Sequence, residues 1–436
     1  MAAALKLETA VTPTRFRWVV IALIFFITMV NYVDRSALSY AIHDIAAEFH
    51  FDAAVVGRIL GAFGLGYIVT TFLGGIWADH YGARKTLFFF SLLWSLSIGM
   101  TGLATGLGML MAARVLLGVA EGPNFPALNR AVADWLSSRE RAVALSNSLV
   151  AVPLALAIGA PVVTQLMLHL SWRGMFIVLM VIGALWLPLW WLWFKDLPED
   201  SPRVNQAELA HIREGNPKPI MAERRKHGFG LWKFLFSNPT LLANDWAFFV
   251  FGYYLFFFMT WLPSYFQQVY NLNLKQVGLF NVLPWLAAAL LLWAFGYLSD
   301  WLLKRTGRLR VARSHPIWIS QFLSALCILP LIYTHDFALA FVFITLAVAL
   351  GMSTNAAYYA INVDVARERS GTALGVMDAL FALAGYLAPT VTGWLVSGSG
   401  SFATPFWLMF GLAMSSVLVV LLFHHPDKSA KLEHQA

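Results

Sequence analysis

Four ionisable residues lie where an apolar chain should carry none. Asp34 and Arg35 fall inside the first long apolar stretch, and Arg114 and Glu121 fall inside the fourth. A charge at the centre of a membrane-spanning helix costs roughly 2.5–3.5 kcal/mol on insertion scales. Apolar packing would brace helices at less cost, so these charges point to chemistry rather than support. Guanidinium presents a planar fork that can bind both oxygens of a carboxylate. A carboxylate in a cavity that alternates between wet and dry suits proton carriage, because desolvation favours its neutral form and nearby cations oppose that shift. Two acids and two arginines are the minimum equipment for moving an organic anion with protons.

Spacing sharpens the reading. Arg114 and Glu121 stand two helical turns apart and project from nearly one face, which Asn124 continues one turn further. On the first helix Asn31 and Asp34 share a face, while Arg35 points about 100° away. The adjacent acid and base can therefore address different partners. Tyr67 follows Gly57, Gly61 and Gly64; these glycines permit close helix approach and leave Tyr67 as a polar tip facing inward. The second half supplies fewer charges: Tyr253 and Tyr254 on the seventh helix, Asn281 on the eighth, Asn355, Tyr358 and Tyr359 on the tenth. Aromatics on such helices are more often core than ligand contacts, and Tyr253, Tyr254, Asn355 and Tyr358 enter as candidate substrate contacts on that footing. Asp378 follows Gly371 and Gly375 at helical spacing and faces either the cavity or a neighbouring helix. Asp245, one turn into the seventh helix, reads as a pairing residue at the cytoplasmic end.

The elements that must position these groups are membrane helices. The chain of 436 residues is 59% hydrophobic and 12% charged, against roughly 25% charged in soluble domains, so a soluble surface could not be covered. Crossing the hydrocarbon core takes about 20 apolar residues. Six such stretches begin near Trp18, Ala53, Lys85, Thr105, Ala142 and Trp172, and six more near Leu241, Lys275, Pro316, Phe337, Ser370 and Phe402. The expected fold is all-α, twelve spanning helices in two pseudo-symmetric six-helix bundles. The expected division is a tail over 1–16, a first bundle over 17–195, a linker over 196–238, a second bundle over 239–424 and a tail over 425–436. The first apolar run is too long for a signal peptide and carries Asp34 and Arg35. With both termini cytoplasmic, only Arg58, Arg173 and Lys275 fall in outside loops and Arg35 and Arg114 within helices; the rest of the 30 Lys and Arg fall inside. That spread sets the expected location, a multi-pass protein of the cell (inner) membrane, and excludes a nucleic-acid partner despite the net charge of +7. The single cysteine, Cys327, forms no intramolecular disulfide. No metal-ligand cluster, cofactor loop or nucleophile elbow is evident, so no cofactor and no enzyme activity are expected. A monomer in the bilayer is the expected state.

Two loop motifs recur half a chain apart. Gly75-Ile76-Trp77-Ala78-Asp79 runs on to Gly82, Arg84 and Lys85, and Gly296-Tyr297-Leu298-Ser299-Asp300 runs on to Lys304 and Arg305. Arg139-Glu140-Arg141 returns as Arg367-Glu368-Arg369, and the longer basic loop from Lys304 to Arg313 absorbs the difference in spacing. Duplicated halves in a membrane protein suggest a transporter. In the first motif glycine lets helices two and three approach and turn, and Asp79 can face the positive end of a neighbouring helix. These residues read as a gating motif that says nothing about substrate. In the linker, Pro202 to Glu214 can form a short surface helix, and Arg224-Arg225-Lys226 reads as a solvated or headgroup-facing cluster.

The loop Gly75-x-x-x-Asp79-x-x-Gly82-x-Arg84-Lys85 resembles the signature of the major facilitator superfamily. Asn31-Tyr32-Val33-Asp34-Arg35, the run from Arg114 through Gly118, Glu121-Gly122-Pro123-Asn124 to Pro126, and Thr260-Trp261-Leu262-Pro263-Ser264-Tyr265 resemble its anion:cation symporter family, which includes galactonate, hexuronate, glucarate and phthalate permeases. The resemblance implies that Asp34 and Glu121 take protons, that Arg35 engages the substrate carboxylate, that Arg114 is linked to the acidic pair and that Tyr67 lies near the substrate. Two departures stand out. Sugar-acid members often carry Gly-Gln in the fifth helix where this chain has Ala151-Val152-Pro153, and Asn where it has Asp378; both argue against a polyhydroxylated sugar acid. The expected function is import of a small organic anion with protons by alternating access. Proton-coupled export or anion exchange is the nearest rival, with Gly159-Ala160-Pro161 a fragment of an antiporter motif. A membrane enzyme, or a sensor, which would be expected to append a soluble domain that this chain lacks, is the rival from another class.

Overall fold

The structure, a computed structural model, describes residues 12–214, 235–366 and 370–433. It is helical throughout, with no strand among the described residues. Spanning a bilayer demands this, because a helix satisfies its backbone groups internally. Nine stretches of the described residues are long and apolar enough to cross a membrane; one of them, Ser148–Trp193, holds two helices, and the helices over 83–102 and 107–135 bring the number among the described residues to twelve. Helix α1 is Phe16–Phe49. A single continuous run, Ala53–Gly102, turns at Gly82 (φ 82°, ψ 161°) into α2 (53–81) and α3 (83–102). Helix α4 is Leu107–Glu121 continued by Asn124–Trp135, broken at Gly122-Pro123. Ser138–Trp193 likewise turns at Ser171 (φ 63°) into α5 (138–170) and α6 (172–193). The second half follows with α7 Pro239–Tyr270, α8 Leu274–Thr306, α9 Arg310–Ile332, α10 Phe337–Ala366, α11 Ser370–Ser399 and α12 Ala403–Phe423. The expected starts agree to within a few residues except at α9, where a π-helical turn, Arg310–Ser314, extends the helix into the basic loop.

The duplication shows in a clasp that the sequence did not reveal. In the first half Asp196, just after α6, accepts a hydrogen bond from the Arg84 backbone N–H at 2.9 Å, and the Arg84 guanidinium donates to the Trp191 carbonyl and lies over its ring. The Asp196 carboxylate fills the space where a Gly82 side chain would stand. In the second half Asp427, just after α12, accepts from the N–H groups of Leu309 and Arg310 at 2.7 and 2.9 Å, and Arg310 donates to the Leu421 carbonyl. Each acid satisfies exposed donors at a helix start and ties it to the end of its bundle. Arg310, rather than Lys304 or Arg305, is thus the structural counterpart of Arg84.

The linker segment expected at 202–214 forms a helix over Gln206–Arg213, and it docks rather than lying free at the surface. Glu208 is fully buried and accepts from Thr14 Oγ1, from the backbone N–H groups of Phe16 and Arg17 and from Arg17 Nη1. Arg17 also holds Glu140, which His211 of the same short helix reaches at 3.2 Å. Burial works against the Glu208 charge, but the hydrogen bonds outweigh it and hold the carboxyl below its ordinary value of 4.5. A depressed folded value means stabilisation that is complete above the unfolded value and lost as pH falls through the folded one. The expected result is a midpoint of thermal unfolding that falls as pH drops below about 4.5 and a Glu208→Gln protein with a smaller fall, measured in detergent. Equal slopes for both proteins would refute the assignment. Arg224-Arg225-Lys226 and Arg367-Glu368-Arg369 lie outside the described residues.

Candidate functional site

The four sequence-selected charges sit in the core of the first bundle, each nearly inaccessible. They come from α1 and α4, and α2 packs closely on α4 beside them. A side chain at Gly118 would meet the Phe63 carbonyl, and one at Gly66 would meet the Val115 carbonyl. The glycines flagged in the sequence, Gly57, Gly61 and Gly64, instead face Gly393, Thr390 and Tyr386 of α11 across the two halves.

Arg35 is the hub. Its Nε and Nη2 donate to Glu121 Oε2 at 3.0 and 2.8 Å, and Nη2 also reaches Asn31 Oδ1 at 3.2 Å. The guanidinium lies 4.6, 4.5 and 4.9 Å from the rings of Tyr32, Phe63 and Tyr67, an arrangement that combines cation–π attraction with a buried ion pair. Its Nη1 has no partner among the described residues, and neither has Glu121 Oε1. Arg114 lies 5.4 Å from the Phe63 ring with Nε unpartnered, so the ion pair of Glu121 is with Arg35. Asp34 faces the Trp94 indole of α3, and neither of its oxygens has a hydrogen-bond partner among the described residues. Neighbouring acid and base do point to different partners, yet Asn31 sides with Arg35 through the i, i+4 relation.

Tyr32 and Tyr67 present their other side to a narrow central cavity. Its opposite wall comes from the second half: Phe248 and Phe251 of α7, Trp285 and Leu292 of α8, Asn355 and Tyr359 of α10, Asp378 and Phe381 of α11. The Tyr359 hydroxyl donates to Asp378 Oδ1 at 3.2 Å. Of the candidate contacts, Tyr67, Asn355 and Asp378 line this space, whereas Arg35 and Arg114 are buried outside its lining. Asn124 is buried with its amide unpartnered and does not line it. Tyr253, Tyr254 and Tyr358 do not line it either. Tyr254 donates to the Met409 carbonyl, Tyr358 accepts from Gln321 Nε2, and Tyr253 is buried against Phe249. Tyr32 and Tyr359 take their places. Asp245 is buried with Oδ1 unpartnered and forms no ion pair among the described residues, unlike the pairing expected for it.

Leu149 and Leu292 line both this cavity and a larger space that reaches Ser299, Asp300 and Arg313, on the face where α1 begins and α12 ends. At the opposite face the halves close on each other, α2 on α11 at Gly57 and Gly393 and α5 on α8 at Thr164 and Gly278. The gating motifs lie on the open side. Asp79 pairs with Arg130 of α4 at 2.9 Å, and not with a helix end. Asp300 pairs with Arg313 at 3.2 Å, and Arg305 lies over Trp301. A side chain at Gly75 or Gly296 would meet nothing, so the turn that glycine makes possible belongs to Gly82. Lys85 lines an outward-facing groove with Trp77 and Phe89.

The family profile described as Major Facilitator Superfamily matches residues 24–314 and 306–436. The chain is 33% identical to the hexuronate transporter of Bacillus subtilis (strain 168), over 93% of this chain and 94% of that protein. It is 32% identical to a probable sulfoacetate transporter of Cupriavidus necator, over 94% and 95%, and 28% identical to a probable L-galactonate transporter of Escherichia coli (strain K12), over 89% and 85%. Among solved structures, a bacterial homolog of the human lysosomal transporter Spinster, inward-facing and unoccupied, superposes with a TM-score of 0.73 at 16% identity, over 96% of this chain and 97% of that one.

Proposed function

The chain belongs to the major facilitator superfamily, in its anion:cation symporter family, and from that premise we propose that it imports a small organic carboxylate together with protons. The observation that carries the reading is the Arg35–Glu121 pair held behind an aromatic wall with one arginine donor free. Glu121 and a substrate carboxylate compete for the same guanidinium. Proton uptake by Glu121 removes its claim, because a neutral carboxyl loses the charge-assisted bond, and Arg35 is then released to the incoming anion. Asp34, buried without a cation, is the second proton acceptor, and Arg114 keeps the site positive while Glu121 is engaged. Relatives that carry hexuronate, galactonate and sulfoacetate by name support an anionic cargo.

Alternating access follows from where the halves touch. The glycine contacts of α2 with α11 close one face while the cavity reaches the other, and rocking the halves about the central site would reverse this. The basic-residue bias supports cytoplasmic termini and thus an inward-open arrangement in the inner membrane. The test is uptake by reconstituted proteoliposomes across a panel of sugar acids, aromatic acids and short hydroxy acids, driven by an imposed pH gradient. At least one carboxylate should accumulate, and a protonophore should abolish that accumulation. Uptake indifferent to the gradient would refute proton coupling, and no uptake of any carboxylate would refute the anionic cargo.

A further inference from the structure

The two walls of the cavity carry opposite electrostatic demands. On the first-half side stands Arg35, behind Tyr32 and Tyr67. On the second-half side the charged group lining the cavity is Asp378, set among aromatic rings with the Asn355 amide and the Trp285 indole. Asp378 is largely buried but lines the cavity, with Tyr359 donating to one oxygen, and the Asn355 amide oxygen is buried and unpartnered. No Lys, Arg or His among the described residues forms an ion pair with Asp378. Asp245, on the adjacent α7, adds a further buried acid without an ion pair among the described residues. Faces of Phe248, Phe251 and Phe381 close around the same end, with Phe248 5.3 Å from Phe381 and 5.5 Å from Tyr359. A carboxylate ringed by aromatic faces is an environment for a cationic nitrogen.

Resting on the organic-anion reading above, we infer that the substrate is a zwitterion: a small carboxylate that also bears a positively charged nitrogen. The carboxylate engages Arg35 and the nitrogen engages Asp378. A dicarboxylate would set a second negative charge against Asp378. A polyhydroxylated acid would bring no positive charge to Asp378, and on the α5 wall Leu149, Val152 and Pro153 offer its hydroxyls no partner. The geometry thereby divides recognition between the halves, so that one molecule bridges both bundles across the site.

Matched ligands that differ only in charge test this. Glycine betaine and 3,3-dimethylbutanoate have the same shape, with nitrogen exchanged for carbon, and L-phenylalanine and 3-phenylpropionate differ by the ammonium group. Titration calorimetry on the purified full-length protein should show at least one zwitterion bound about tenfold or more tightly than its partner, the scale of a hydrogen bond to a charged group. Asp378→Asn should erase that preference, and Asp378→Glu, which keeps the charge, should retain its direction. A glutamate variant that folds and binds guards against reading a misfolded asparagine variant as loss of recognition. Equal or tighter binding of the plain carboxylates, or a preference that persists in Asp378→Asn, overturns the zwitterion and leaves the organic anion standing. Binding of neither pair, and of no acid in the wider panel, overturns both.

Discussion

Replacing Arg35 by lysine is expected to abolish substrate binding nearly as completely as replacing it by alanine. The guanidinium bonds Glu121 twice and Asn31 once while three aromatic rings lie within 4.9 Å of it. An ammonium can satisfy one of those demands, because it is compact, lacks the planar fork and is more strongly hydrated. Loss of a charged hydrogen bond is worth about 1.5–3 kcal/mol, or roughly 10- to 150-fold in affinity. Removing one member of a buried pair also leaves the other uncompensated, at about 3–5 kcal/mol. A thermal-unfolding control therefore accompanies the titration, and Glu121→Gln is added to the lysine variant so that no unpaired acid remains. If the double variant unfolds like the wild type and still fails to bind, the role of Arg35 is recognition. If lysine alone binds with wild-type affinity, Arg35 is a brace and the carboxylate site lies elsewhere.

The first-half site was legible because its signal was energetic. Four charges in apolar helices had to be buried together, and helical spacing limited where each could point. The partner of Arg35 was less legible, because Glu121 lies 86 residues away and its neighbour Arg114 shares its helix. In the second half the signal was compositional, and there the reading went astray. Tyr253 with Tyr254, and Tyr358 with Tyr359, are adjacent residues about 100° apart on a helix, so composition could not say that only Tyr359 of the four lines the cavity. The i, i+4 relation of Asn355 to Tyr359 held the answer, since those two line the space while Tyr358 bonds Gln321. The clasps of Asp196 and Asp427 escaped for another reason. Each is a lone acid just past an apolar run, a pattern with no periodicity, and its role depends on the start of a helix more than a hundred residues earlier in the sequence.

The second large effect separates binding from coupling. Glu121→Gln is expected to eliminate concentrative uptake while preserving exchange of substrate for substrate. The amide has the shape of the protonated acid and leaves Arg35 permanently free, so the carrier holds its anion-ready form without needing a proton. A gradient of one pH unit supplies about 1.4 kcal/mol for each coupled proton, or about tenfold accumulation. Wild-type proteoliposomes should reach at least that, whereas the glutamine variant, anion-ready without a proton, should not accumulate substrate. Asp34→Asn should show a related but distinct defect. Its carboxylate faces Trp94 and does not touch Arg35, so its loss removes a coupled proton without releasing the arginine. Substrate affinity at neutral pH should therefore rise in Glu121→Gln and stay near wild type in Asp34→Asn. Counterflow, which needs no driving gradient, confirms that each variant still moves substrate. Full concentrative uptake by both variants would show that the protons travel by another route, and the buried acids would then be structural partners of the helices around them.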